Sequence, residues 1–247
     1  MVFTDPPYNV PIEGHVSGLG RIRHRDFAMA SGEMSSSEFT EFLNVVFRNL
    51  VASSVDGSIH FVCMGWRHLG EMQTAGSAAY GELKNLCVWI KDNAGMGSFY
   101  RSRHELIFVF KSGNGPHINN FELGQHGRHR TNVWFYRGMS TIGAQRQRDL
   151  ALHPTVKPVA LIVDAIKDVS SRSGIFLDCF GGSGSTLIAA HKVGRRARLI
   201  EIDPTYVDWI IKRWEEYAKD EAVFAETQET FAEVAAARGS QRRGGQS

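Results

Sequence analysis

The sequence predicts an α/β protein built on a mostly parallel sheet with helices on both faces. Three observations carry this. Strand-like runs alternate with amphipathic helix-like runs along most of the chain. The strand-like runs (SIHFVCM, LCVWI, HELIFVF, GIFLD) are apolar almost throughout, the pattern of strands buried on both faces. A glycine-rich turn, GGSGS, leads directly from one such run into a helical pattern, the strand–loop–helix joint of open α/β sheets.

Taken in order, Val2-Phe3-Thr4 reads as the end of a buried strand that stops at Asp5, and a polar, glycine-rich loop follows to about Gly32. A helix then opens on the capping-box pair Ser35 and Glu38, with Phe39, Phe42, Leu43, Val46, Phe47 and Leu50 on one stripe. A strand is expected over 58–64, a helix around 67–80, and strands over 86–90 and 104–110, the last two joined by the glycine-containing DNAGMGS. Periodicity is lost from Lys111 to Leu152. Order returns with an amphipathic helix through Leu161, Ile162, Ala165, Ile166 and Val169. The strand GIFLD, the glycine loop with its helix, and ARLIEID, read as another buried strand, follow. PTYVDWIIKRWEEYA is a helix with proline in its first turn. RGSQRRGGQS at the C-terminus is low-complexity and expected to be disordered.

The 247 residues make one large domain, or one domain with an inserted lobe. A hydrophobic content of 43% is far from that of a disordered chain, and a net charge of +2 gives no global argument for a nucleic-acid partner. Cys63, Cys87 and Cys179 are scattered, which fits a reduced cytosolic protein better than a disulfide scaffold. No signal peptide or membrane-spanning run is seen, and a cytoplasmic, nucleoid-associated location is expected.

In open α/β sheets, ligands lie beyond the carboxyl ends of the strands. Two motifs occupy such ends: Asp5-Pro6-Pro7-Tyr8, and Asp178-Cys179-Phe180-Gly181-Gly182-Ser183-Gly184. The second is not a phosphate loop, because no lysine follows Gly184, and it departs from the dinucleotide pattern because Leu187 stands where the third glycine belongs. A nucleoside reading survives. Glu201, 17 residues after Gly184, ends the next strand and can accept hydrogen bonds from two ribose hydroxyls.

LDCFGGSGST resembles the cofactor motif of S-adenosylmethionine-dependent methyltransferases, commonly LDPFxGSGTT, with Cys179 in place of proline and Ser185 in place of threonine. The resemblance implies a Rossmann-like methyltransferase fold. It implies S-adenosylmethionine as cofactor, held by Asp178, Phe180, Gly181, Gly182, Ser183 and Gly184, with Glu201 on its ribose. Asp5-Pro6-Pro7-Tyr8 resembles the catalytic motif of DNA methyltransferases that modify exocyclic amino groups. The residue types suit that chemistry. The amino nitrogen of adenine is a weak nucleophile because its lone pair is delocalised into the ring. A carboxylate on Asp5 and the carbonyl of Pro6, aimed at its two hydrogens and held by the fixed φ of the prolines, draw it toward tetrahedral geometry. Tyr8 offers a flat face to a base flipped from the duplex. Serine at position 5 would favour cytosine-N4 chemistry in this family, whereas aspartate leans toward adenine-N6.

The catalytic motif precedes the cofactor motif, an order that resembles the beta class of DNA amino-methyltransferases and implies that the two motif strands are sheet neighbours. ALHPTVKPVALI resembles the family's H-P-[TA]-x-K-P segment, which would bring Thr155 or Lys157 to the cofactor carboxylate. The expected organisation is a catalytic half over 1–110, a target-recognition insertion over 111–150, a cofactor half over 151–220, and a C-terminal helix with disordered tail over 221–247. No acid lies between Glu122 and Asp149, where Arg128, Arg130, Arg137, Arg146 and Arg148 interleave with aromatic residues. These arginines are expected to contact double-stranded DNA. A second basic stretch, GHVSGLGRIRHR (14–25), follows the catalytic motif. His117, His126 and His129 lack the cysteines or carboxylates of a zinc site, so no metal is expected. Residues 1–4 read as an interior piece of a strand, so a segment upstream of them is expected. Competing readings are a non-catalytic DNA-binding module with an incomplete cofactor site, a cytosine-N4 enzyme, and an RNA or protein methyltransferase. The recognition sequence stays open, as does the assembly, with a homodimer as one form.

Overall fold

The computed structural model describes residues 1–11, 29–95, 99–138 and 156–244. Seven strands form one sheet. They are β1 (Val2–Thr4), β2 (Ile59–Met64), β3 (Glu82–Ile90), β4 (His104–Lys111), β5 (Val133–Phe135), β6 (Ile175–Asp178) and β7 (Arg196–Leu199). The spatial order is β5-β3-β4-β2-β1-β6-β7. β1 pairs in parallel with both β2 and β6, β6 with β7, and β3 with β5, while β4 alone runs antiparallel to its neighbours. The α-helices among the described residues are α1 (Ser36–Ala52), α2 (Leu69–Ala79), α3 (Val159–Val169), α4 (Ser185–Lys192), α5 (Pro204–Ala218) and α6 (Phe231–Gly244).

Alternate strand residues feed two cores, which is why the strands read as continuously apolar. Val2, Val62, Met64, Leu106, Phe108 and Phe110 face α1 and α2, against Phe39, Leu43, Phe47 and Met72. Phe3, Phe61, Cys63, Ile107 and Phe176 face the other way, against Leu161, Ile162, Ala165 and Ile166 of α3 and Ala189 and Ala190 of α4. α2 lies so close to β4 that a Cβ at Gly76 would come within 2.3 Å of the Phe110 ring. The predicted caps are present: Ser35 and Glu38 form the reciprocal capping box of α1, and Asp203 caps α5 ahead of Pro204.

Three expectations are corrected. The segment over 111–150 contributes a strand: β5 extends the sheet edge beside β3, and Trp134 at its centre is buried in the core. ARLIEID is strand only over Arg196–Leu199, and it is half exposed because β7 is an edge with a single neighbour. The tail from Arg238 is not wholly irregular, since α6 continues to Gly244 behind a Thr230–Glu233 capping pair. Among the described residues, no helix is long and apolar enough to cross a membrane.

Candidate active site

β1 and β6 lie side by side and parallel, so Asp5 and the glycine loop leave the sheet at the same carboxyl end. A buried hydrogen bond ties the two exits together: Thr4 Oγ1 donates to Asp178 Oδ1 at 2.8 Å. Asp178 also accepts from Thr186 Oγ1 (2.7 Å) and from the Phe180 amide (3.1 Å). Burial raises its pKa to about 7, although these three donors pull it down. With 2% of its surface exposed, Asp178 pins the two loops together from below.

Above this pin the loop from Cys179 to Gly184 curls tightly. Gly182 and Gly184 take positive φ, and the Gly184 amide closes a turn onto the Gly181 carbonyl at 2.8 Å. A Cβ at Gly181 or Gly184 would come within 3.0 to 3.2 Å of Ile210, the buried residue of α5, so the glycines serve helix packing as well as backbone approach. Glu201 stands directly over the loop: one oxygen accepts from the Gly182 amide at 2.7 Å and the other from Asp203 at 2.9 Å. Each oxygen keeps a lone pair for a further donor. Arg213 of α5 braces the loop from behind, donating to the Ser183 carbonyl (2.7 Å) and to Ser185 Oγ (3.1 Å). Sequence reasoning did not single out this arginine.

On the β1 side, the chain after Asp5-Pro6-Pro7-Tyr8 is fixed by Asn9. Asn9 takes the left-handed conformation (φ 51°), and its side chain bonds Gly32 and Met34. Tyr8 packs against Gly65 at the end of β2, where a Cβ would approach its ring to 3.3 Å. Its hydroxyl donates to Asp5 Oδ1 at 2.8 Å. Lys157 donates to Asp5 Oδ2 at 2.5 Å and lies 3.1 Å from Glu105 Oε2. Lys91 pairs with the other oxygen of Glu105. Burial raises the Asp5 carboxyl while Lys157 pulls it down. Burial would raise Glu105 too, but the two lysines outweigh it and hold Glu105 at about 2. Lys157 is pushed above the ordinary lysine range because Asp5 and Glu105 overcome its own burial. Lys157 therefore sits beside Asp5-Pro6-Pro7-Tyr8, where its ammonium is engaged by two carboxylates. Glu105 was read only as part of a strand, and nothing in HELIFVF marks it.

The predicted DNA-contacting arginines separate. Arg128 bonds Asp168 at 2.5 and 3.1 Å, and Arg130 meets Asp168 at 3.0 Å and lies over the Trp134 ring. Both guanidiniums are paired with α3 and only partly exposed. Arg137 is exposed. Arg146, Arg148, Thr155 and the basic stretch 14–25 lie outside the described residues.

Comparison with known proteins gives the same direction. The DNA methylase family model matches residues 1–213. The chain is 38% identical over 94 residues to the Type II methyltransferase M.ScaI of Streptomyces caespitosus, a match that spans 38% of this chain and 31% of that protein's length. Among solved structures, the cytosine-N4-specific PvuII DNA methyltransferase superposes with a TM-score of 0.66 at 15% identity, over 86% of this chain and 78% of the other. The M1.HpyAVI–SAM complex superposes with a TM-score of 0.60 at 18% identity, over 86% and 87%. At those identities the superpositions speak for the fold.

Proposed function

The chain belongs to the DNA methylase family, and from that premise we propose that it moves a methyl group from S-adenosylmethionine to the exocyclic amino group of a base flipped out of duplex DNA, with adenine N6 as the acceptor. The observation that carries the reading is the convergence of Asp5 and the glycine loop at the carboxyl ends of two neighbouring strands, linked by the Thr4–Asp178 bond.

The residues present fit the cofactor. Gly182 and Ser183 at the tip of the loop are partly exposed, and the Glu201 carboxylate, set over Gly182 with lone pairs to spare, suits a pair of ribose hydroxyls. When bound, S-adenosylmethionine supplies an electrophilic methyl group on its sulfonium. The chain's part is positional and electrostatic. Asp5 and the Pro6 carbonyl accept the two amino hydrogens and free the nitrogen lone pair. Tyr8 presents its ring to the base while its hydroxyl steadies Asp5. The aspartate at the first motif position supports adenine over cytosine. For DNA contact, the support is the exposed Arg137 and the exposed pair Phe99 and Tyr100 on the β3–β4 hairpin, which leaves the sheet at the catalytic edge.

Incubating the protein with plasmid and S-adenosylmethionine, then mapping modified bases by single-molecule sequencing, tests this. N6-methyladenine in one sequence context is expected. N4-methylcytosine would transfer the reading to the other amino base. Absence of both, together with no heat of S-adenosylmethionine binding by calorimetry, would favour the non-catalytic module.

A further inference from the structure

Asp5 is held by more than its own motif. β4 is the antiparallel strand, so its first residues, not its last, reach the edge where β1, β2 and β6 end. That places Glu105 beside Tyr8 and Lys157, which come from segments far away in the chain. Glu105 Oε2 lies 3.1 Å from Lys157 Nζ and 3.2 Å from the Tyr8 hydroxyl, and Lys157 and Tyr8 are the two groups that hold Asp5, one on each carboxylate oxygen. Glu105 is 17% exposed and Lys157 7%.

We propose that Glu105 is a positioning residue: it orients Lys157, which together with Tyr8 clamps the two oxygens of Asp5 and leaves a free lone pair for the one amino hydrogen of the target base that Asp5 accepts. The inference rests on the reading of Asp5 as the amino-group acceptor. A carboxylate oxygen has two lone pairs in its plane. Tyr8 takes one on Oδ1 and Lys157 one on Oδ2, which fixes the rotation of the group. Lys157 alone could swing onto Asp5 and cover both oxygens. Glu105 draws the ammonium away from that position, and Lys91 anchors Glu105 in turn. The four charges, two acids and two lysines, balance, so a buried ionised Asp5 is sustained without a net charge. The other titratable groups facing Asp5 are Tyr8, Cys63 on β2 and Asp178 at the end of β6.

The test compares Glu105→Gln, Lys157→Met and Lys157→Arg in the full chain. Glu105→Gln keeps the side chain's shape and removes its charge. We expect its kcat to fall about 10- to 100-fold, the cost of a misplaced catalytic group, with S-adenosylmethionine affinity by calorimetry within about threefold. Lys157→Met is expected to lose more, and Lys157→Arg to recover part of that loss. The two charge deletions also act on Asp5 with opposite sign: the acid limb of the pH–rate profile moves to lower pH in Glu105→Gln and to higher pH in Lys157→Met. Carbon-13 NMR of labelled aspartate carboxyls in the ligand-free variants reads the same opposed shifts without turnover. A folded Glu105→Gln variant with wild-type kcat and an unmoved acid limb, in a preparation where Asp5→Ala is dead, overturns the positioning role alone. A wild-type protein with no transferase activity overturns the functional reading beneath it.

Discussion

Two clusters in this molecule are built from the same parts. Each joins two cations, two carboxylates and one tyrosine: Lys91, Lys157, Asp5, Glu105 and Tyr8 at the catalytic edge, and Arg128, Arg130, Asp164, Asp168 and Tyr136 on the outer side of α3. They differ in what remains available. In the second cluster Asp168 is 4% exposed and both of its oxygens are taken by guanidiniums, while Tyr136 donates to Asp164 at 2.6 Å. That cluster fastens the segment leading into β5 onto α3. In the first cluster Asp5 is 19% exposed and keeps an acceptor site on each oxygen. A charged network is a clasp when its central carboxylate is buried and taken on both oxygens, and a site when that carboxylate keeps capacity facing a ligand.

The largest effect expected from this contrast separates Asp5→Ala from Asp168→Ala. Asp5→Ala should lower transfer of labelled methyl groups by about 10³-fold or more, the scale of losing an electrostatic contact to the reacting group, with cofactor affinity retained by calorimetry. Asp168→Ala should cost about 1–3 kcal/mol of stability, because it removes the buried carboxylate that two half-buried arginines share. In urea melts it should unfold early, yet folded protein should transfer within about threefold of wild type. A folded Asp168→Ala variant without activity would erase the contrast.

A second test concerns Asp178, the pin between the motif strands. Its folded pKa of about 7 lies above its ordinary value of 3.8, so the folded state holds this proton more tightly than the unfolded chain. The stability this provides is full below about pH 4 and is lost as pH rises through about 7. Asp178→Asn should therefore be penalised less at pH 8 than at pH 4, by roughly 2–4 kcal/mol in urea midpoints. An equal penalty at both pH values would show that the carboxyl is not raised. Third, Gly184→Ala puts a Cβ within 3.2 Å of Ile210 at a φ of +74°. It should destabilise by about 1–2 kcal/mol and weaken S-adenosylmethionine binding about tenfold, both read in one calorimetric series. The smallest effect belongs to Arg137→Ala, which should weaken duplex binding a few-fold and reduce the salt slope of log K by about 1. Arg128→Ala should leave that slope unchanged. If Arg128 moved the slope and Arg137 did not, the assignment of inward and outward arginines would be reversed.

Much of this was legible in the chain. The helices over 36–52 and 204–218 carry their own caps, that over 159–169 its apolar stripe, and the strands ending in Thr4 and Asp178 stop just ahead of the proline pair and the glycine loop. β5 was not legible: three residues, Val133-Trp134-Phe135, show no period, and only pairing with β3 makes them a strand. Glu105 looked like one charge at the head of an apolar strand, and Lys157 like a residue reaching for the cofactor. Arg128 and Arg130 looked like free charge because the two aspartates that engage them lie 34 to 40 residues further along.

The sequence by itself determined the alternation of elements and the placing of the two motifs at strand ends, since period, caps and turn residues act over a few neighbouring positions. The tertiary structure alone decided which charges meet. The antiparallel course of β4 brings Glu105 to Lys157 and Tyr8, and the adjacency of β1 and β6 brings Thr4 to Asp178. Ion pairing and burial depend on distance in space, and a strand's direction in the sheet sets that distance across a hundred residues of intervening chain.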